Sequence, residues 1–154
     1  MNLEEIERIK QLKYAYLRSV DLNDWELFAS CFTEDASTHY ENGTLCWQGI
    51  ENIIAGLRPL IGAPTTITQH QVHHPVIELT SSTTASGSWY LQDIVYELSE
   101  NYWFHGTAYY ADEYVQVDGV WKIQRTGFDR VLLIRESPIP ENMRFEYDRF
   151  AAQR

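Results

Sequence analysis

The sequence predicts an α+β fold: a curved antiparallel sheet forming a cone-shaped half-barrel, with three helices from the N-terminal half packed on it. Three observations predict it. Apolar residues recur at spacings of three and four over 3–20 and 49–61, the period is two in a hairpin from residue 36, and from residue 66 it is two over four long segments. Two dipeptides, Asn42-Gly43 and Asp118-Gly119, are strong tight-hairpin signals. Helices gathered first and strands gathered last suit helices packed on one face of a sheet. At 154 residues the chain has room for one core, so residues 1–154 read as a single domain with a C-terminal tail from about 136 to 154.

Residues 3–20 form the first predicted helix. Leu3, Ile6, Ile9, Leu12, Tyr16, Leu17 and Val20 make its apolar stripe, with Glu4, Glu5, Arg8 and Lys13 between them. Asp21-Leu22-Asn23-Asp24 breaks the pattern, and Asn23 or Asp24 caps a short helix from Trp25 to Cys31. Phe32-Thr33-Glu34-Asp35 reads as a turn. A hairpin follows, Thr38 and Tyr40 returning through Asn42-Gly43 to residues 44–47. Residues 49–61 form the third helix, stopped by Gly62 and Pro64. The strands are expected at 66–79, 84–98, 103–117 and 120–134, and a terminal helix at 141–152.

Composition narrows the function. Lys and Arg number 12 against 22 Asp and Glu, a formal net charge of -10. Such a surface repels phosphate backbones and anionic lipid, which disfavours nucleic-acid and membrane partners. No apolar stretch approaches the roughly 20 residues of a membrane helix. The N-terminus lacks the features of a signal peptide, and Cys31 and Cys46 read as reduced packing residues, so a cytoplasmic location is expected. The 14% aromatic content suits either a pocket with an apolar body and a few polar tips or an aromatic-rich core or subunit interface.

The pairing of the long strands nominates the chemistry. A two-residue turn at Ser81-Ser82 places His70 directly across from Asp93, close enough for imidazole and carboxylate to touch. Asp93 shares a strand face with Trp89, Leu91 and Val95, and a carboxylate in an apolar row is costly unless paired. A bulge near His73-His74-Pro75 or a four-residue turn would change this register. Asp21 is the second carboxylate, near the apolar stripe at the end of the first helix, where the dipole disfavours it. As an isolated Asp after a helix it also reads as a plain turn residue. Tyr40 and Tyr110 are candidate donors. The Asp118-Gly119 turn sets Arg125 opposite Asp112, as a cross-strand ion pair or a pocket cation. His70, His73 and His74 lack the spacing of a zinc site, so no metal is expected. No phosphate loop or serine-nucleophile turn is present.

Several segments together resemble the SnoaL-like family of the nuclear-transport-factor-2-like superfamily. They are Tyr14-Ala15-Tyr16 through Val20-Asp21, Asp24-Trp25-Glu26, residues 31–36, Thr68-Gln69-His70 and residues 117–123. Within it the likeness is to scytalone dehydratase, bile acid 7α-dehydratase and hexachlorocyclohexane dehydrochlorinase, which are cofactor-free lyases. The resemblance implies a catalytic His at His70 and its Asp partner at Asp21, with Asp93 matching a further Asp and Tyr40 a hairpin Tyr. Tyr16 stands near a pocket position of the dehydrochlorinase. Val95, Ala108 and Tyr110 replace pocket residues of scytalone dehydratase, so no relative's substrate carries over.

The expected function is that of a cofactor-independent lyase of dehydratase or dehydrohalogenase type, acting on a small cyclic apolar molecule. His70 is the general base, Asp21 or Asp93 its orienting group, and Tyr40 or Tyr110 the assistant to the leaving group. Tyr16, Trp89, Leu91, Val95, Tyr110 and Arg125 are the expected substrate contacts. The alternatives are an isomerase or cyclase of the same fold, or a non-catalytic binding or assembly subunit. A lyase needs an open cavity of roughly 300 Å³ or more with His70 at its wall. The relatives imply a homo-oligomer, a trimer before a dimer, and a tail that either covers the cavity mouth or packs elsewhere.

Overall fold

A computed structural model describes residues 2–154. Its elements run α1 (Leu3–Leu22), α2 (Trp25–Ser30), β1 (Phe32–His39), α3 (Ile50–Ile61), β2 (Thr66–Leu79), β3 (Thr84–Glu97), β4 (Tyr102–Val117) and β5 (Val120–Glu136). The five strands form one sheet in the order β1-β5-β4-β3-β2, and the helices lie against one side of it. β2 to β5 are antiparallel. β1 is the exception, pairing parallel with β5.

Local chemistry sets the boundaries. Asn23 adopts φ 56° and ends α1, and its N–H returns to the carbonyls of Ser19 and Val20. Asp24 caps α2, its carboxylate accepting from the Leu27 N–H at 3.0 Å. Asp118 (φ 51°) and Gly119 (φ 79°) form the two-residue turn that joins Val117 to Val120. The core gathers Ile9, Phe28, Ile53, Leu91 and Ile123, none with exposed surface. Burying each such side chain contributes about 1.5–3 kcal/mol.

Four sequence expectations need correction. Residues 32–35 are strand rather than turn. As a parallel edge strand, β1 leaves Glu34 and Asp35 in solvent, so its polar residues carry no turn meaning. The link after Tyr40 is not a two-residue turn: Glu41, Asn42 and Gly43 all take positive φ, and Tyr40 bridges Leu45. The terminal helix is absent, reduced to a short 3-10 turn at Ala151–Gln153. Instead the aromatic residues of the tail anchor singly, Phe145 edge-on to Tyr96 at 5.0 Å and Phe150 buried. Lastly, Lys13 is not on the polar face of α1. It is fully buried between Ile9 and Tyr16.

The β2–β3 register has an instructive origin. The turn holds three residues, Ser81–Thr83, between Thr80 and Thr84, whose carbonyl accepts the Thr80 N–H at 2.9 Å, and this sets Leu79 against Ala85 rather than Thr84. A bulge at His74-Pro75, with His74 at φ 49°, then inserts one residue into β2. The two offsets cancel, and His70 comes to lie opposite Asp93.

Candidate active site

Between α1, α3 and the sheet lies a cavity of about 230 Å³. Tyr16, Leu17 and Val20 of α1 line one wall, and Leu57, Leu60 and Ile61 of α3 a second. His70, Asp93, Val95, Tyr110, Phe128 and Arg130 come from the sheet, and Tyr40, Glu41 and Leu45 from the link after β1. His70 stands at its wall as a lyase requires, but the volume falls short of the expected roughly 300 Å³, which restricts it to a molecule of one or two rings. A second groove, of about 450 Å³, runs over outward-facing residues such as Ser86, Tyr109 and Glu113 and includes none of the candidate acids and bases named above.

His70 and Asp21 meet at the cavity wall. The His70 Nδ1 is 2.7 Å from Asp21 Oδ1. Asp21 Oδ2 accepts the His70 backbone N–H at 2.9 Å, and Thr68 donates its hydroxyl to Oδ1 at 2.8 Å. These three donors offset the unfavourable end of the α1 dipole. An ionised carboxylate only accepts, so Nδ1 carries a proton and, in the neutral ring, Nε2 keeps the lone pair. Nε2 has no hydrogen-bond partner among the described residues, while the ring borders the cavity. Asp21 borders a separate outer groove with Arg18 and His73, and His70 lines that groove as well as the cavity.

Asp93 faces the same cavity but pairs elsewhere. Although His70 and Asp93 are register partners, the Asp93 carboxylate takes both arms of Arg130, at 2.6 and 2.8 Å. Glu41 holds the other side of the guanidinium, at 2.6 Å from one terminal nitrogen and 3.1 Å from Nε. Burial works against the Arg130 charge, but Asp93 and Glu41 outweigh it and hold the group above its ordinary value. Sequence reasoning missed Arg130 and Glu41. The signal was there in part: a carboxylate in the apolar row of β3 requires a cation, and β5 carries two unassigned arginines.

The phenols form the third group. The Tyr16 and Tyr40 hydroxyls are 2.8 Å apart, and Tyr110 lies edge-on to Tyr16 at 6.4 Å. Burial pushes all three well above the ordinary phenol range, so they stay protonated and act as donors. Tyr16 bonds Tyr40 on one side and Tyr110 on the other, so Tyr110 ends the chain of hydroxyls.

Three expected contacts lie outside the cavity. Trp89 and Leu91 are in the packed core, Trp89 donating to the Tyr114 oxygen at 3.0 Å. Arg125 is exposed on the outer face. A bulge at Glu113/Tyr114 shifts β5 by one residue, so Arg125 opposes Glu113 and not Asp112. No residue from 137 to 154 lines the cavity. Among the described residues no three His, Cys, Asp or Glu side chains are grouped to hold a metal ion. No helix among the described residues is long and apolar enough to cross a membrane.

A family model for the SnoaL-like domain matches residues 1–127. The chain belongs to the SnoaL-like family. Among solved structures it is similar to a candidate scytalone dehydratase from Novosphingobium aromaticivorans DSM 12444, with 25% identity and TM-score 0.79 over 86% of this chain and 88% of that one. It is also similar to a type 2 hexachlorocyclohexane dehydrochlorinase, LinA, with 23% identity and TM-score 0.79 over 92% and 97% of the two chains. A LinA-type3 enzyme from Novosphingobium barchaimii LL02 matches at 20% identity and TM-score 0.78, over 89% and 93%. The last two likenesses show the shared SnoaL-like fold: helices on a curved sheet around a cavity.

Proposed function

We propose that this SnoaL-like protein is a cofactor-independent lyase acting on a small, neutral, cyclic molecule. The observation that carries the reading is the His70 imidazole at the cavity wall, fixed through Nδ1 by Asp21 with Nε2 left unpaired. Nε2 takes a proton from a carbon next to an activating group. The bonding pair moves into the ring as the leaving group departs from the adjacent carbon. Asp21 stabilises the imidazolium that forms. Tyr110, backed by the hydrogen-bonded Tyr16 and Tyr40, donates to the departing oxygen or halide, and Arg130 holds Asp93 in place beside them.

Charge supports a neutral substrate. Asp21, Asp93 and Glu41 outnumber the one guanidinium, so an anionic molecule would meet net repulsion. Apolar walls from α1 and α3 suit a ring. General-base catalysis contributes about 10²–10⁴-fold, so exclusion of water and positioning in the cavity supply the rest. The proposal extends to assembly as a homotrimer, to which the exposed apolar run Val131–Ile134 on β5 lends a surface.

The test is turnover on a panel of one- and two-ring β-hydroxy ketones and polyhalogenated cyclohexanes, followed by the absorbance of the alkene formed or by halide release. At least one member should turn over, and His70→Ala should lower its rate by about 10²–10⁴-fold. Turnover that survives His70→Ala contradicts the mechanism.

A further inference from the structure

One buried ion pair has no part in the chemistry above. Lys13 and Asp112 have no exposed side-chain surface, and Lys13 Nζ lies 2.7 Å from Asp112 Oδ2. Both oxygens of the carboxylate are engaged. Tyr114 donates to Oδ2 at 2.6 Å and Thr126 to Oδ1 at 2.6 Å. Packing alone does not explain such a group. A buried pair is expensive to desolvate, and well-packed apolar residues of the same volume do the structural work equally well.

The position of the ammonium is informative. Nζ lies 3.3 Å from the centre of the Tyr110 ring and 5.0 Å from that of Tyr16. Tyr110 lines the cavity and Lys13 does not, so the ammonium sits behind the wall, against the rear of the phenol. Asp112 fixes it there. The pair is thus a dipole with its positive end on the ring. A cation on a ring face is attracted to its electron density. It also favours negative charge at the phenol oxygen, which makes the hydroxyl a stronger donor.

We propose that Lys13 is a polarising residue of this site, which acts through Tyr110 to make that hydroxyl the strongest donor to the departing group. The identity of the departing group rests on the lyase reading, whereas the polarisation does not. The groups around Tyr110 are Lys13 on its ring face, Tyr16 from α1, Tyr40 after β1, and Phe128 and Arg130 from β5, with the carboxylates of Asp93 and Asp112 opposing ionisation of the phenol against the ammonium. Tyr40 is a natural reference: it is equally buried, lines the same cavity and has no cation on its face among the described residues.

The test places a difluorotyrosine singly at position 110 or position 40 of the full chain and follows its fluorine signal against pH. The phenol at 110 should titrate about one pH unit below that at 40. The paired change Lys13→Met with Asp112→Asn removes both charges and so leaves no lone buried carboxylate. It should raise the midpoint at 110 by about one unit and leave that at 40 in place. An unchanged midpoint at 110, or one at or above that of 40 in the otherwise unaltered chain, overturns the proposal. Because the Tyr16 hydrogen bond raises the phenol at 40 on its own, the shift at 110 decides, and the polar pair Lys13→Gln with Asp112→Asn supplies it if the first variant fails to fold. Neither outcome bears on the His70→Ala test, so the two readings fail separately.

Discussion

Arg130 ties together two carboxylates that the apolar cavity would not otherwise tolerate. The Asp93 residue is only 3% exposed and gives both oxygens to the guanidinium. Removing one partner of a buried pair costs about 3–5 kcal/mol, because the other charge stays behind uncompensated. Arg130→Met should therefore lower stability to urea by about that amount, and the joint change Arg130→Met with Asp93→Leu should recover most of it. A urea midpoint for Arg130→Met equal to that of the parent would show that the pair is not held as described. His70 and Asp21 depend on geometry in a different way. Asp21 is tied by three donors from β2, so one carboxylate fixes both the imidazole and the end of α1.

At the scale of elements, the site is set where strands and helices approach closely, and β4 shows how closely. A Cβ at Gly106 would lie 2.6 Å from an Arg130 terminal nitrogen and 2.8 Å from the Leu132 carbonyl oxygen. The absence of a side chain there makes room for the Arg130–Asp93 pair on the neighbouring strands. Gly106→Val should displace the guanidinium and lower thermal stability by several degrees, as overpacking costs typically 1–3 kcal/mol. A calorimetric midpoint within one degree of the parent would contradict this crowding. Long periodic elements were legible from sequence because burial on one face imposes their period: α1, α3 and the four long strands fall within two residues of their expected bounds. Register was legible only by cancellation, since the three-residue turn and the His74 bulge offset each other. At Glu113 a single bulge had nothing to cancel it, and Arg125 fell on the wrong face. Lys13 stayed hidden because a charged residue in a helix reads as solvent-facing. What buries it is Asp112, 99 residues away.

The whole molecule explains why the site is where it is. Helices close one side of a curved sheet, and the hollow between them is the only place where α1 can bring Asp21 to His70 while β5 brings Arg130 to Asp93. The other side of the sheet has no helix over it, and β5 runs past the end of β1 with Val131, Leu132, Leu133 and Ile134 each about half exposed. A trimer predicts a light-scattering mass of three times 18.0 kDa at micromolar concentration, and a single-chain mass contradicts it. The fold class was readable from sequence because it follows from the order of periods along the chain. The pairing of charges was not, because it depends on contacts between residues far apart in sequence. The central claim is that Asp21 fixes the His70 imidazole with its free nitrogen towards the cavity, and nitrogen NMR of the His70 ring tests it most directly. The account predicts a neutral ring protonated at Nδ1 and bare at Nε2; a ring protonated at Nε2 would contradict it.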